Sequence, residues 1–188
     1  MRFLTGFISA LVVAAIAVVV LVETGTVPAN ADRGPLVGEK WAAGTSLDAT
    51  LNRQAPKTPP FQPSASDLAN GAKLYVQNCS VCHGSAHSTA NAIARGLYIK
   101  APQFNRRKGV TDDPVGETYW KIAHGIAWTG MPAFRETLKE RELWQIAWFL
   151  KDRDTLSGEA KATWEDPKLV PPPTPLPSPS PAVTPALK

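Results

Sequence analysis

The sequence predicts an all-α protein: a small helical domain preceded by one long apolar helix. Three observations carry this. Phe3 to Val22 runs without a charge. Ser66 can cap a helix starting at Asp67 and carrying Leu68, Ala72, Leu74, Tyr75 and Val76. Leu138 to Leu150 repeats apolar residues at three- and four-residue spacing, the pattern of an amphipathic helix. Composition narrows the classes further. Among 188 residues there are only two cysteines, too few for a disulfide framework or a four-thiolate zinc site. A net charge of +4 without a long basic block excludes a nucleic-acid binder.

Residues 1–22 come first. At about 1.5 Å per residue their apolar stretch spans roughly 30 Å, the thickness of a bilayer's hydrocarbon core. It is longer than the usual h-region of a signal peptide, so a retained transmembrane anchor is expected. Cleavage after Ala29-Asn30-Ala31 is the alternative. Arg2 keeps the N-terminus cytoplasmic and places the chain beyond Glu23 on the exported side. Residues 23–65 are punctuated by six prolines and read as a periplasmic tether. Within it, Ser46 caps a short helix bearing Leu47 and Leu51, with Trp41 nearby. Residues 66–153 form the folded unit. Two clear helices and much Gly- and Pro-broken loop give it a thin core that something else should fill. Residues 154–188 read as a Pro-rich disordered tail, since nine of the 18 prolines lie in the last 22 residues.

Cys79-Ser80-Val81-Cys82-His83 is C-x-x-C-H, the attachment pattern of c-type haem. At a helix end the two thiols project about one turn apart and can add to the two vinyl groups of one porphyrin. The adjoining His83 can then face the iron. A thioredoxin-like reading lacks its βαβ context, and a zinc site from Cys79, Cys82, His83 and His87 lacks the long gap between ligand pairs. For the sixth iron position the candidates are His87, His124 and Met131. His87 is tied to the same local segment as His83. Met131 sits between Gly130 and Pro132, a loop suited to presenting a thioether, and is the expected ligand, with His124 the alternative.

From Ser66 to Arg153 the chain resembles class I monohaem c-type cytochromes, in particular small bacterial domains that also occur in respiratory oxidase and dehydrogenase subunits. The resemblance rests on Cys79 to His83, the loop Gly130-Met131-Pro132 and the aromatic C-terminal helix. It implies a cytochrome c fold in which terminal helices surround one covalently attached haem c. It also implies that Gly71 and Tyr75 face some of Ile146, Ala147, Trp148 and Leu150. The resemblance further implies that the carbonyl of Pro102 accepts the haem histidine's other ring proton. Trp120 and Trp128 are equally well read as haem contacts or core filling.

His/Met ligation leaves no open iron site, so the expected function is one-electron transfer with no small-molecule substrate at iron, an electron carrier rather than an enzyme. The carrier is expected at the inner (cytoplasmic) membrane, single-pass, with its haem domain on the periplasmic face. Its partners would be a quinol-oxidising complex or dehydrogenase and a terminal oxidase. Arg106-Arg107-Lys108 is the one cationic cluster, to be weighed as a steering patch against a solvated loop. The rivals are a fixed haem relay in a larger oxidoreductase and a haem sensor or peroxidase with labile Met131.

Overall fold

The structure, a computed structural model, describes residues 2–89, 91–105 and 110–170. The Arg106-Arg107-Lys108 cluster and the proline tract after Val170 lie outside the described residues. Among the described residues the chain is all-helical, with one isolated bridge between Ser85 and Ser88. It divides into two compact units, Met1–Gly34 and Pro35–Lys188.

The first unit is α1 (Arg2–Glu23), an uninterrupted helix with no buried side chain across its apolar window. It is long and apolar enough to cross a membrane.

The second unit is built on α3 (Ala65–Asn78) and α7 (Glu140–Lys151), which cross at Gly71. A β-carbon placed on Gly71 would lie 2.1 Å from the backbone oxygen of Gln145 and 3.0 Å from Phe149 Cβ, so only glycine permits this approach. The close crossing buries Tyr75, Ile146, Ala147 and Phe149 completely. Gly71 and Tyr75 do face the C-terminal helix, but the contacts correct the expected partners Ile146, Ala147, Trp148 and Leu150: Gly71 meets Gln145 and Phe149, and Tyr75 sets its ring against Phe149 at 5.3 Å. Helix α6 (Val115–His124) closes the other side of α7, where Tyr119 stacks on Trp144 at 4.1 Å.

Helix α3 begins two residues earlier than the expected start at Asp67. Its cap is Ser64, not Ser66: Asp67 N–H donates to Ser64 Oγ, while the Asp67 carboxylate accepts from Ser64 N–H. The spacing Ser-x-x-Asp is a capping box, which satisfies two exposed amides where Ser66 would satisfy one. Asp67 also accepts from Gln145 Nε2 at 2.8 Å and Arg141 at 2.7 Å, tying the start of α3 to α7. Burial alone would raise its pKa, but these donors together outweigh burial and hold the carboxyl well below its ordinary 3.8. A depressed pKa means stability present above the unfolded value and lost as pH falls through the folded one. Asp67→Asn is expected to cost about 2–3 kcal/mol at neutral pH in denaturant melts. That difference from the parent should shrink steadily below about pH 4; a constant difference down to pH 2 would show that the charge is not what matters.

Two further segments depart from expectation. The helix expected after Ser46 is α2 (Glu39–Gln54), a 16-residue helix preceded by Gly38 at φ +85°. Its Leu51 is buried, whereas Trp41 is 74% exposed and does not anchor the segment. Residues 154–170, expected as part of a tail, instead form a 3₁₀ turn at Arg153–Thr155, helix α8 (Gly158–Glu165) and a second 3₁₀ turn. Trp164 sets its ring against Tyr75 and Phe149 at 5.6 and 5.9 Å, and Ala160 and Thr163 are buried beside it. One large aromatic among small residues suffices to dock a two-turn helix against α3.

Candidate functional site

The short helix α4 (Ser80–His83) comes directly after α3, with Cys79 as the hinge between them. His83 and Cys82 N–H groups both donate to Cys79 O, which sets the two cysteines three residues apart on one turn. Tyr75 reaches from α3 to donate its hydroxyl to Gly84 O at 2.7 Å, fixing where the turn ends. Beyond it Gly84 takes φ +75°, and a β-carbon there would meet Ser88 O at 2.5 Å.

Cys79, Cys82, His83, Pro102 and Met131 line one cavity of about 630 Å³, within the usual size of a cofactor site. Its remaining wall is mostly apolar, including Leu97, Ile99, Phe104, Ile122, Ile126 and Leu150. His83 stacks on Phe104 with ring centroids 4.5 Å apart. Its Nδ1 lies 2.8 Å from Pro102 O. A carbonyl can only accept, so Nδ1 carries the proton and Nε2 is left with its lone pair free to bind a metal. The Pro102 segment is held by two bonds to the haem-motif turn: Phe104 N–H to His83 O, and Gln103 Nε2 to Cys82 O. Burial lowers the His83 pKa, which favours the neutral, ligating form. Burial, then the neighbouring Cys82, pushes the Cys79 thiol up to about 12. That is the reverse of the lowered pKa that thiol–disulfide exchange requires.

The loop bearing Met131 is equally constrained. Ile126 N–H donates to Met131 O, and Met131 N–H donates to Thr129 Oγ1 at 3.1 Å. Gly125 must be glycine, because it has φ +68° and a β-carbon would sit 2.7 Å from Met131 O. Gly130 passes so close to Leu97 that a β-carbon would fall 2.4 Å from its Cδ2. Of the other candidates, His87 and His124 do not line the cavity; His124 stacks on Trp120 at 4.8 Å. Trp120 and Trp128 line a smaller crevice outside it, and Trp128 is 75% exposed. Among the described residues no three His, Cys, Asp or Glu side chains gather as a metal cluster, which leaves the zinc reading without support.

The donor set fits a haem. Two thiols stand at one turn, an imidazole offers a free Nε2, a thioether lies in the same cavity, and apolar walls suit a porphyrin. Sequence reasoning missed Tyr75 as the brace of the turn, Phe104 as the ring under His83, and Leu47, which reaches the cavity from α2.

Comparisons with known proteins agree with this chemistry. The family model described as cytochrome c oxidase, cbb3-type, subunit III matches residues 66–150. Cytochrome c6 of Thermosynechococcus vestitus is 27% identical over 89 residues, covering 47% of this chain and 72% of that protein. Cytochrome c6 of Synechococcus elongatus is 26% identical over 87 residues, covering 46% and 91%, and that of Limnospira maxima 25% over 87 residues, covering 46% and 93%. No solved structure gives a significant match. Residues 66–150 of this chain therefore form a monohaem c-type cytochrome domain, whose haem c is covalently bound.

Proposed function

We propose that the chain is a membrane-tethered one-electron carrier. In this reading Cys79 and Cys82 would hold haem c through thioethers, His83 and Met131 would ligate its iron, and the Pro102 carbonyl would hold the histidine. The observation that carries it is the 2.8 Å contact of His83 Nδ1 with Pro102 O, which aims a neutral imidazole into a cavity that Met131 also lines. When bound, haem c supplies a ferric/ferrous couple. The chain's own residues would then do four things. His83 and Met131 would both ligate the iron, which would leave no place for a substrate. The Met131 thioether favours the ferrous state relative to a second imidazole. The apolar wall would keep water out, and the hydrogen bonds of the 126–134 loop would hold the Met131 thioether in position.

Helix α1 supports a tether in the inner membrane, with the domain on the periplasmic face. There it would take electrons from a quinol-oxidising complex or dehydrogenase and pass them to a terminal oxidase. A second reading, a haem relay fixed within a larger oxidoreductase, is favoured by the description of the matching family model as an oxidase subunit. Purification of the full chain from membranes separates the two: a stoichiometric complex supports the relay, a single chain the carrier.

The ferric form of that preparation is expected to show the spectroscopic signature of methionine bound to iron at neutral pH. Met131→His should abolish it and lower the potential by on the order of 0.1–0.3 V, within the ~0.8 V span that axial ligands set. A parent protein without the signature, binding carbon monoxide readily when reduced, would replace the carrier with the sensor or peroxidase reading.

A further inference from the structure

Helix α2 lies outside the stretch that matches the cytochrome family, yet it touches the cofactor cavity. Its inward stripe is Ala43, Leu47, Thr50 and Leu51, spaced i, i+4, i+7 and i+8, so these side chains share one face. Leu51 is buried, while Ala43, Leu47 and Thr50 are half-buried; the intervening residues are exposed. Both ends of the helix are fixed to segments that border the cavity. At the N-terminal end Tyr98 donates its hydroxyl to Glu39 Oε2 at 2.7 Å, and the neighbours Leu97 and Ile99 line the cavity. Past the C-terminal end, Pro56 O lies against Gly116, where a β-carbon would be 1.9 Å away. Gly116 belongs to α6, whose Thr118, Lys121 and Ile122 form another part of the wall.

A 16-residue helix is about 24 Å long, enough to run from one border to the other with Leu47 in between. Leu47 lines the cavity that holds Met131 and also a second crevice of about 100 Å³ shared with Ile126 and Trp128 of the ligand loop. We propose that α2 is a built-in cover for the haem cavity, with Leu47 as the positioning residue that keeps water and small ligands from the haem on that side. This rests on the His/Met haem reading above. The physical consequence is direct: the ferric centre carries one more positive charge than the ferrous, so excluding water disfavours the ferric state.

The test uses the full haem-loaded chain. Leu47→Ser is expected to lower the equilibrium constant for reduction by a reference couple about threefold, equivalent to about 30 mV at 59 mV per decade. It should also tighten imidazole binding to the ferric protein several-fold. Leu47→Met, which conserves volume and apolarity, is expected to match the parent in both. A folded Leu47→Ser protein with the parent's potential and imidazole affinity would overturn the cover. If Leu47→Ser does not fold, Tyr98→Phe decides, because it removes the bond to Glu39 without touching the cavity. Faster imidazole binding and faster hydrogen exchange along α2 are expected; parental values for both would overturn the proposal. The parent spectrum keeps the two failures apart. A parent lacking the methionine–iron signature defeats the ligation reading, whereas a parent that has it, with unaltered variants, defeats the cover alone.

Discussion

Replacing Cys79 and Cys82 together with serine is expected to leave a chain that exports normally but has no cooperative tertiary structure. The reason is volumetric. The cavity between α3, α6, α7 and the two loops is about 630 Å³, and a dry void costs about 24 cal/mol per Å³. Left empty, this one would cost on the order of 15 kcal/mol, as much as the whole stability of a typical domain at about 5–15 kcal/mol. Hydration or collapse relieves part of that cost only by loosening the ligand loop, whose Ile126, Met131 and Phe134 line the same space. The double variant should therefore show reduced near-ultraviolet dichroism, a broad thermal transition and rapid proteolysis between α5 (Ala92–Gly96) and α6. A sharp, parent-like melt in a preparation free of haem would show that the helices carry the fold without it.

Gly71→Val is expected to be severely destabilising although it lies away from the cofactor. Its β-carbon would meet backbone atoms of Gln145 at 2.1 and 2.6 Å, and backbone cannot rotate aside as a side chain can. Helices α3 and α7 would have to separate, exposing Tyr75, Ile146 and Phe149, the largest fully buried side chains. The expected cost is above about 4 kcal/mol, in the range reserved for severe core disruption. For a domain of this size that lowers Tm by roughly 20 °C. Gly44→Ala is the matching control. Gly44 lies within α2 with nothing near its β-position, so the same kind of change should stabilise by about 0.5–1 kcal/mol through helix propensity. Equal melting temperatures for Gly71→Val and the parent would mean that the crossing is looser than 2.1 Å implies.

The chemistry encoded between near neighbours is legible in the chain alone. C-x-x-C-H is a five-residue pattern, and a methionine between glycine and proline announces a loop built around it. The pairing of Ser64 with Asp67 is local too, but Ser66 sits closer to the apolar residues and competes for the same role on propensity alone; only the reciprocal bonds of the capping box separate them. The apolar period of α7 places an amphipathic helix within two residues of its observed start, because seven of its twelve side chains are buried and the face is broad.

The sequence by itself determined the cofactor and the all-helical class. The tertiary structure alone decided what α2 and α8 are. Each has one large buried anchor, Leu51 or Trp164, among small and polar residues, too little apolar surface to announce a docked helix or to hold one in isolation. Each is stable only because a distant part of the chain offers a matching surface: Gly116 and Tyr98 for α2, the rings of Tyr75 and Phe149 for α8. The same holds for the tautomer of His83, which depends on a carbonyl nineteen residues away. Local pattern records what a segment prefers; burial depends on what the rest of the chain brings to meet it.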